Sequence, residues 1–258
     1  MLQQDLNLLH SWCETWKLFI HPEKSKIVHF GRTNQLYTYF WGTNTLTALN
    51  SITDLGIVVD SDLSFNCQNT EVVKKATMVS ILISRTISSR SPEVYLKLFF
   101  SLVRPILEYA VEVWWPYLHK HIIAIEKVQR RFTKHIIGLN ALSYRDRLQQ
   151  LNIPSLWWRF QRGALITTFK ILRFNYGGPS VKSNFEISIN VRTRGHPWKL
   201  NRIPLNHTKT QNFFFHRIVP LWNDLPTIVV TADTVNSFKN RLDEHFKHRN
   251  DFRYFYLD

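Results

Sequence analysis

Cysteine occurs only twice, as Cys13 and Cys67, and neither belongs to a CxxC pair. That excludes a disulfide framework and gives no sign of structural zinc. His10 and Cys13 form an HxxC pair, but no second pair completes it, and the two read as neighbours on one helical face. Uninterrupted apolar sequence is missing as well. The densest apolar and aromatic stretch, residues 91–117, is broken by Lys97, Arg104, Glu108 and Glu112, whereas a membrane-spanning helix needs about 20 nearly charge-free residues. No signal-peptide core forms near the start, where Gln3, Gln4, Asp5 and Asn7 separate the leucines. Internal repeats and low-complexity linkers are absent. The expectation is an intracellular, reduced protein of nucleus or cytoplasm, neither secreted nor bound to a membrane.

Acidic residues are the next shortage: 19 Asp and Glu face 33 Lys and Arg, a formal charge of +14 over 258 residues. Such a field favours polyanions. The excess is concentrated in two regions. Residues 120–147 carry seven Lys and Arg against two acids, and residues 182–217 carry seven against one. The close acidic couple Asp60 and Asp62 reads as polar turn chemistry after a strand rather than as a metal site.

What the chain does have is apolar and aromatic content sufficient for a core, 44% and 14% respectively. A helix begins at once, with Leu2, Leu6, Leu9, Cys13, Trp16 and Ile20 on one face. His21 and Pro22 turn the chain, a short strand follows at 27–30, and residues 35–62 read as β structure with strands near 37–41, 45–49 and 55–59. Helical spacing returns from Cys67 to Ile87. In the stretch 91–117, Ser91 suits an N-cap and Pro92 the first helical position, while Pro105 predicts a kink or a break. A basic amphipathic helix is expected over 119–137: Lys127, Arg130, Arg131 and Lys134 fall within a stripe about 100° wide, with Ile122, Ile125, Val128, Phe132 and Ile136 opposite. Further helices are expected at 144–151, 156–174, 213–226 and 235–246. Between them, residues 185–189 alternate like a strand and 192–197 carry turn chemistry. The fold class is α+β, predominantly helical, in three parts: 1–66, 67–140 and 141–258.

Several stretches, taken in order, carry a family resemblance. DLNLLHSWCETWKLFIHPEKSKIVHFG (5–31) resembles the end of the palm domain of reverse transcriptases from non-LTR (LINE-type) retrotransposons, and DLGIVVDSDLSF (54–65) resembles the motif E region that follows it. RPILEYAVEVWWPY (104–117), IEKVQRRFTK (125–134), LSYRDRL (142–148), LWNDLP (221–226) and SFKNRLD (237–243) are similar to the post-palm region of the same elements, jockey-like ones especially. The resemblance implies a palm-tail helix with β hairpins at 1–66, a helical thumb-like domain at 67–140 and a small α+β region at 141–258. It also implies an RNA-directed DNA polymerase as parent, acting on an RNA template with a DNA primer.

The family's paired aspartates, which hold two Mg ions for nucleotidyl transfer, have no counterpart in this sequence. The expectation is therefore a fragment that does not polymerise alone, holds no cofactor itself and works beside a palm and fingers encoded elsewhere in the element. Lys24 matches the motif D lysine, proposed to protonate departing pyrophosphate; equally it reads as an exposed loop lysine. Leu55 and Gly56 match the motif E turn that approaches the primer terminus. The stripe Lys127, Arg130, Arg131 and Lys134 is the candidate duplex-binding face, and Arg192, Arg194 and Lys199, interleaved with Trp198, are candidates for gripping phosphates or stacking. The alternative is a domesticated, stand-alone nucleic-acid-binding or interaction module with no polymerase activity.

Overall fold

The computed structural model describes residues 1–31, 33–188, 195–204 and 208–247. Its chain forms two compact units, Met1–Gln68 and Asn69–Asp258, and is predominantly helical with a minority of short strands.

In the first unit, helix α1 (Leu2–Thr15) is followed by a single 3-10 turn (Pro22–Lys24) and strand β1 (Lys26–Val28). Strand β2 (Phe40–Trp41) turns through Gly42 into β3 (Asn44–Thr45), and β4 (Thr47–Leu49) returns to pair in parallel with β1. A second hairpin joins β5 (Ser51–Asp54) to β6 (Ile57–Asp60). Cys13, Trp41 and Leu46 form the small core. Gly42 is required there: its φ is +58°, and a Cβ would come within 2.8 Å of the His10 imidazole, which itself packs edge-on against Trp41.

Helix α1 is shorter than its apolar spacing suggested, because Lys17 takes a left-handed φ of +54° just after it. Of the six residues expected on its buried face, only Cys13 is buried and Leu6 half-buried; Leu2, Leu9, Trp16 and Ile20 are exposed. Apolar periodicity marked the helix correctly but not which of its residues meet the sheet.

Helix α2 (Asn66–Thr86) leads into the second unit. Helix α3 (Pro92–Leu98) is capped by the Ser91 hydroxyl, which accepts from the Val94 N–H, with Pro92 in its first turn. A π-helical turn (Phe99–Val103) follows directly, then α4 (Arg104–Glu108) and α5 (Val111–Trp114). Pro105 falls in the first turn of α4, where its absent N–H is not missed. Residues Tyr95, Phe99, Val103, Leu107 and Val111 are all buried, every fourth position. On an unbroken α-helix that stripe would wander about 40° per step. The wider π turn takes up part of the drift, and left-handed Ala110 (φ +49°) resets the chain before α5.

Helix α6 (His119–Lys134) lays Phe132 against Tyr95 and Phe99, each ring centroid 5.0 Å away. Helices α7 (Tyr144–Gln150) and α8 (Leu156–Phe174) follow, each N-capped by a serine, Ser143 and Ser155. Helix α8 is the axis of the main core. The short helices α9 (Pro179–Lys182) and α10 (Thr208–Gln211) precede α11 (Phe214–Asn223), α12 (Thr227–Val230) and α13 (Val235–Lys247). Trp222 of α11 and Phe238 of α13 pack on Phe169 of α8, with Phe169 and Phe238 stacked at 4.2 Å. The strand expected at 185–189 reduces, among the described residues, to one bridge between Ile187 and Leu200. No helix among the described residues is long and apolar enough to cross a membrane.

Candidate nucleic-acid interface

Helix α6 divides its residues by height of charge. Ile125, Val128 and Phe132 are buried, as is Ile136 just beyond its end, whereas Lys127, Arg131 and Lys134 are exposed on the opposite side. The fourth cation of the expected stripe behaves differently. Arg130 is half-buried, its guanidinium 5.0 Å from the centre of the Tyr144 ring. It lies at the edge of the helical projection and four residues after Glu126, where it is drawn toward the junction with α7. Three of the four expected cations therefore face solvent together.

That junction was not legible as a site in the sequence. Glu126, Gln129 and Thr133 are all buried polar residues on one face of α6, at spacings of three and four. The Tyr144 hydroxyl donates to Glu126 Oε1 at 2.5 Å, and the backbone N–H groups of Leu156 and Trp157 donate to the same carboxyl at 3.1 and 3.3 Å. Glu126 thus caps the first turn of α8, where unpaired N–H groups and the helix dipole favour a negative charge. Gln129 Nε2 donates to both the Tyr144 hydroxyl and the Pro154 carbonyl. Arg147 closes the network from α7, donating to Thr133 Oγ1 and to the carbonyls of Leu142 and Arg130. The available signal was three polar residues in helical register flanking an aromatic tyrosine and an arginine at 144 and 147.

Burial pushes the Glu126 carboxyl up from 4.5 to about 6, against the pull of its hydrogen bonds and of Arg130. Its folded pKa lies above the unfolded one, so its favourable contribution is complete below about 4.5 and is lost as pH rises through about 6. Glu126→Gln abolishes that component: urea titrations should show wild type losing on the order of 2 kcal/mol relative to the variant between pH 4.5 and 7. A constant difference across that range would rule out the shifted carboxyl.

The remaining candidates are scattered. Lys24 ends the 3-10 turn and is exposed. Leu55 and Gly56 form the two-residue tip of the β5–β6 hairpin, with φ of +46° and +82°; the expected strand starts two residues later, because a turn of this kind requires positive φ at both central positions. Leu55 is 82% exposed. Arg192 and Arg194 lie outside the described residues. Lys199 is half-buried, its side chain lying across Gly195 so closely that a Cβ there would collide with it. Its neighbours are fixed to the end of α11, with Trp222 Nε1 donating to the Trp198 carbonyl at 2.7 Å and Asn223 pairing with the Leu200 backbone in both directions at 2.8 Å. Arg173 covers the Trp198 ring.

Arg217, part of the second basic region, is withdrawn from solvent. Its guanidinium lies 4.2 Å from the Trp115 ring centre and donates to the carbonyls of Asn212 and Glu112. Burial lowers its pKa to about 9. The acidic couple is also internally engaged, Asp60 accepting from the Ser64 hydroxyl and Asp62 from the Ser64 N–H. Among the described residues no group of three His, Cys, Asp or Glu could hold a metal ion.

No family model matches the chain. No solved structure matches it either. A stretch of 137 residues, 52% of this chain, is 28% identical to an uncharacterized protein of Caenorhabditis elegans, covering 69% of that protein.

Proposed function

We propose that this chain is the palm-end, thumb and following region of a non-LTR retrotransposon reverse transcriptase, and that it holds RNA–DNA template-primer through the solvent face of α6. The polymerase assignment is supported by the ordered run of motif-like stretches from 5 to 243. The binding assignment rests on one observation: Lys127, Arg131 and Lys134 are exposed together on a helix whose other side is buried. Lys127 and Lys134 are separated by about 10 Å of helix rise, so the three cations are spread along the face rather than gathered at one point. Such a face tracks backbone phosphates and reads geometry rather than base sequence. With no adjacent aspartates in the sequence, the chain alone is a binding element and not a nucleotidyltransferase.

The test is the salt dependence of affinity for an RNA–DNA hybrid. Binding should weaken steeply between about 50 and 200 mM salt, and a Lys127→Ala, Arg131→Ala, Lys134→Ala triple variant should lower the log–log slope by about 2–3. Because all three side chains are exposed, the variant's stability should stay within about 1 kcal/mol of wild type. An unchanged slope would remove α6 from the interface.

A further inference from the structure

Beside the basic face, α2 and α6 enclose a groove of about 150 Å³ floored by aromatic and aliphatic side chains. Its walls sort into donors and acceptors. On α2, Thr77, Ser80 and Ser84 line it at helical spacing. The Ser80 and Ser84 hydroxyls donate to carbonyls of their own helix, those of Ala76 and Ile81, at 2.7 and 2.8 Å. Their protons are committed, and what they offer the groove is oxygen lone pairs. Across from them stands exposed Arg131 on α6, with His135 just past the helix end. The His135 Nδ1 is held at 2.8 Å by the Arg131 carbonyl, an acceptor, so that nitrogen carries the proton and Nε2 is the one left over. Tyr95, fully buried, also lines the groove, and its hydroxyl has no hydrogen-bond partner. A buried hydroxyl left unmatched is costly and points to a missing partner.

We infer that this groove seats one ribose-phosphate unit of an RNA strand, the phosphate on Arg131 and the Tyr95 hydroxyl, the 2′-hydroxyl on Ser80 and Ser84. The pairing follows from donor and acceptor counting. A phosphodiester can only accept, which suits Arg131 and Tyr95. Acceptors on the opposite wall need a donor, and within a continuous strand the sugar's only hydroxyl is at the 2′ position, which DNA lacks. The sugar ring then rests on the apolar floor of Val128 and Phe132. This deepens the proposed function, since it rests on α6 meeting nucleic acid, and it adds a means of telling RNA from DNA that exposed lysines do not supply.

The experiment compares an RNA–DNA hybrid with a DNA duplex of the same sequence, using the full chain at fixed salt. Wild type should prefer the hybrid by about three- to tenfold, the yield of one or two neutral hydrogen bonds. Ser80→Ala with Ser84→Ala should erase that preference while leaving DNA affinity unchanged. Tyr95→Phe should weaken both duplexes severalfold while keeping or raising stability, because the orphaned hydroxyl is gone. Lys127→Ala with Lys134→Ala should weaken both equally and keep the preference. A preference that survives loss of both serines, or a Tyr95→Phe variant that binds like wild type, overturns the inference. Equal binding of hybrid and DNA duplex overturns it alone and leaves the basic face standing, whereas no binding of either overturns both. Free ribose 5-phosphate serves as the remaining arm: if it competes at low millimolar concentration or better, the groove is a small-molecule site and the strand assignment fails.

Discussion

Phe99→Ala is expected to destabilise the second unit by about 3–5 kcal/mol, read as a fall in the urea midpoint at unchanged m. Phe99 is fully buried within the π turn, with the Phe132 ring 5.0 Å away and Phe100 against its edge. Removing the ring takes away its transfer free energy and leaves a cavity between α3 and α6 that rigid helices close only in part. The same substitution touches no exposed cation, so hybrid affinity per folded molecule should be unaltered. A Phe99→Ala protein of full stability and lost binding would move these aromatics from the core to the interface.

Glu126→Ala should cost a similar amount, about 3–5 kcal/mol at neutral pH, for a different reason. Truncation strands the Tyr144 hydroxyl and the N–H groups of Leu156 and Trp157, three donors in a water-excluded junction. Glu126→Gln keeps one acceptor oxygen and the volume, and should lose no more than about half as much. The exposed pair of Glu93 and Lys97, 2.8 Å apart on α3, provides the comparison: breaking it should change stability by less than about 1 kcal/mol. If Glu126→Ala behaves like that surface pair, the junction does not fasten α6 to α8.

Much of the second unit was legible from its sequence because local chemistry and burial agree there. Ser91 with Pro92 set a helix start, Pro105 marked a departure from regular α-helix that takes the form of the π turn just before it rather than a break, and the two faces of 119–137 separated by apolar period. The first unit was harder to read. Strands of two to four residues carry little alternation, and Leu55 looked like strand until its turn required positive φ. On α1, six residues at helical spacing suggested a buried face, but only a small sheet is available to cover it. At the candidate interface the sequence supplied the cations and not their surroundings. Arg130 left the stripe because a buried carboxylate one turn back and an aromatic ring 14 residues on compete for it, a pairing no single helix displays. The groove needed α2, α3 and α6 together, and the orphaned Tyr95 hydroxyl is visible only once its neighbours are in place.

The π turn at Phe99–Val103 also bears on how this chain can be lengthened or shortened over generations. Within an α-helix, gaining or losing one residue swings everything downstream by about 100° and usually ruins a core. A wide turn can hold one surplus residue, its i→i+5 bonds taking up the extra length. A descendant that dropped one residue here could close the turn into ordinary helix, provided its apolar residues re-phased to a spacing of three and four. Homologous chains are thus best aligned with a gap permitted inside 99–103, where the four-residue beat of buried positions from Tyr95 to Val111 depends on the wide turn.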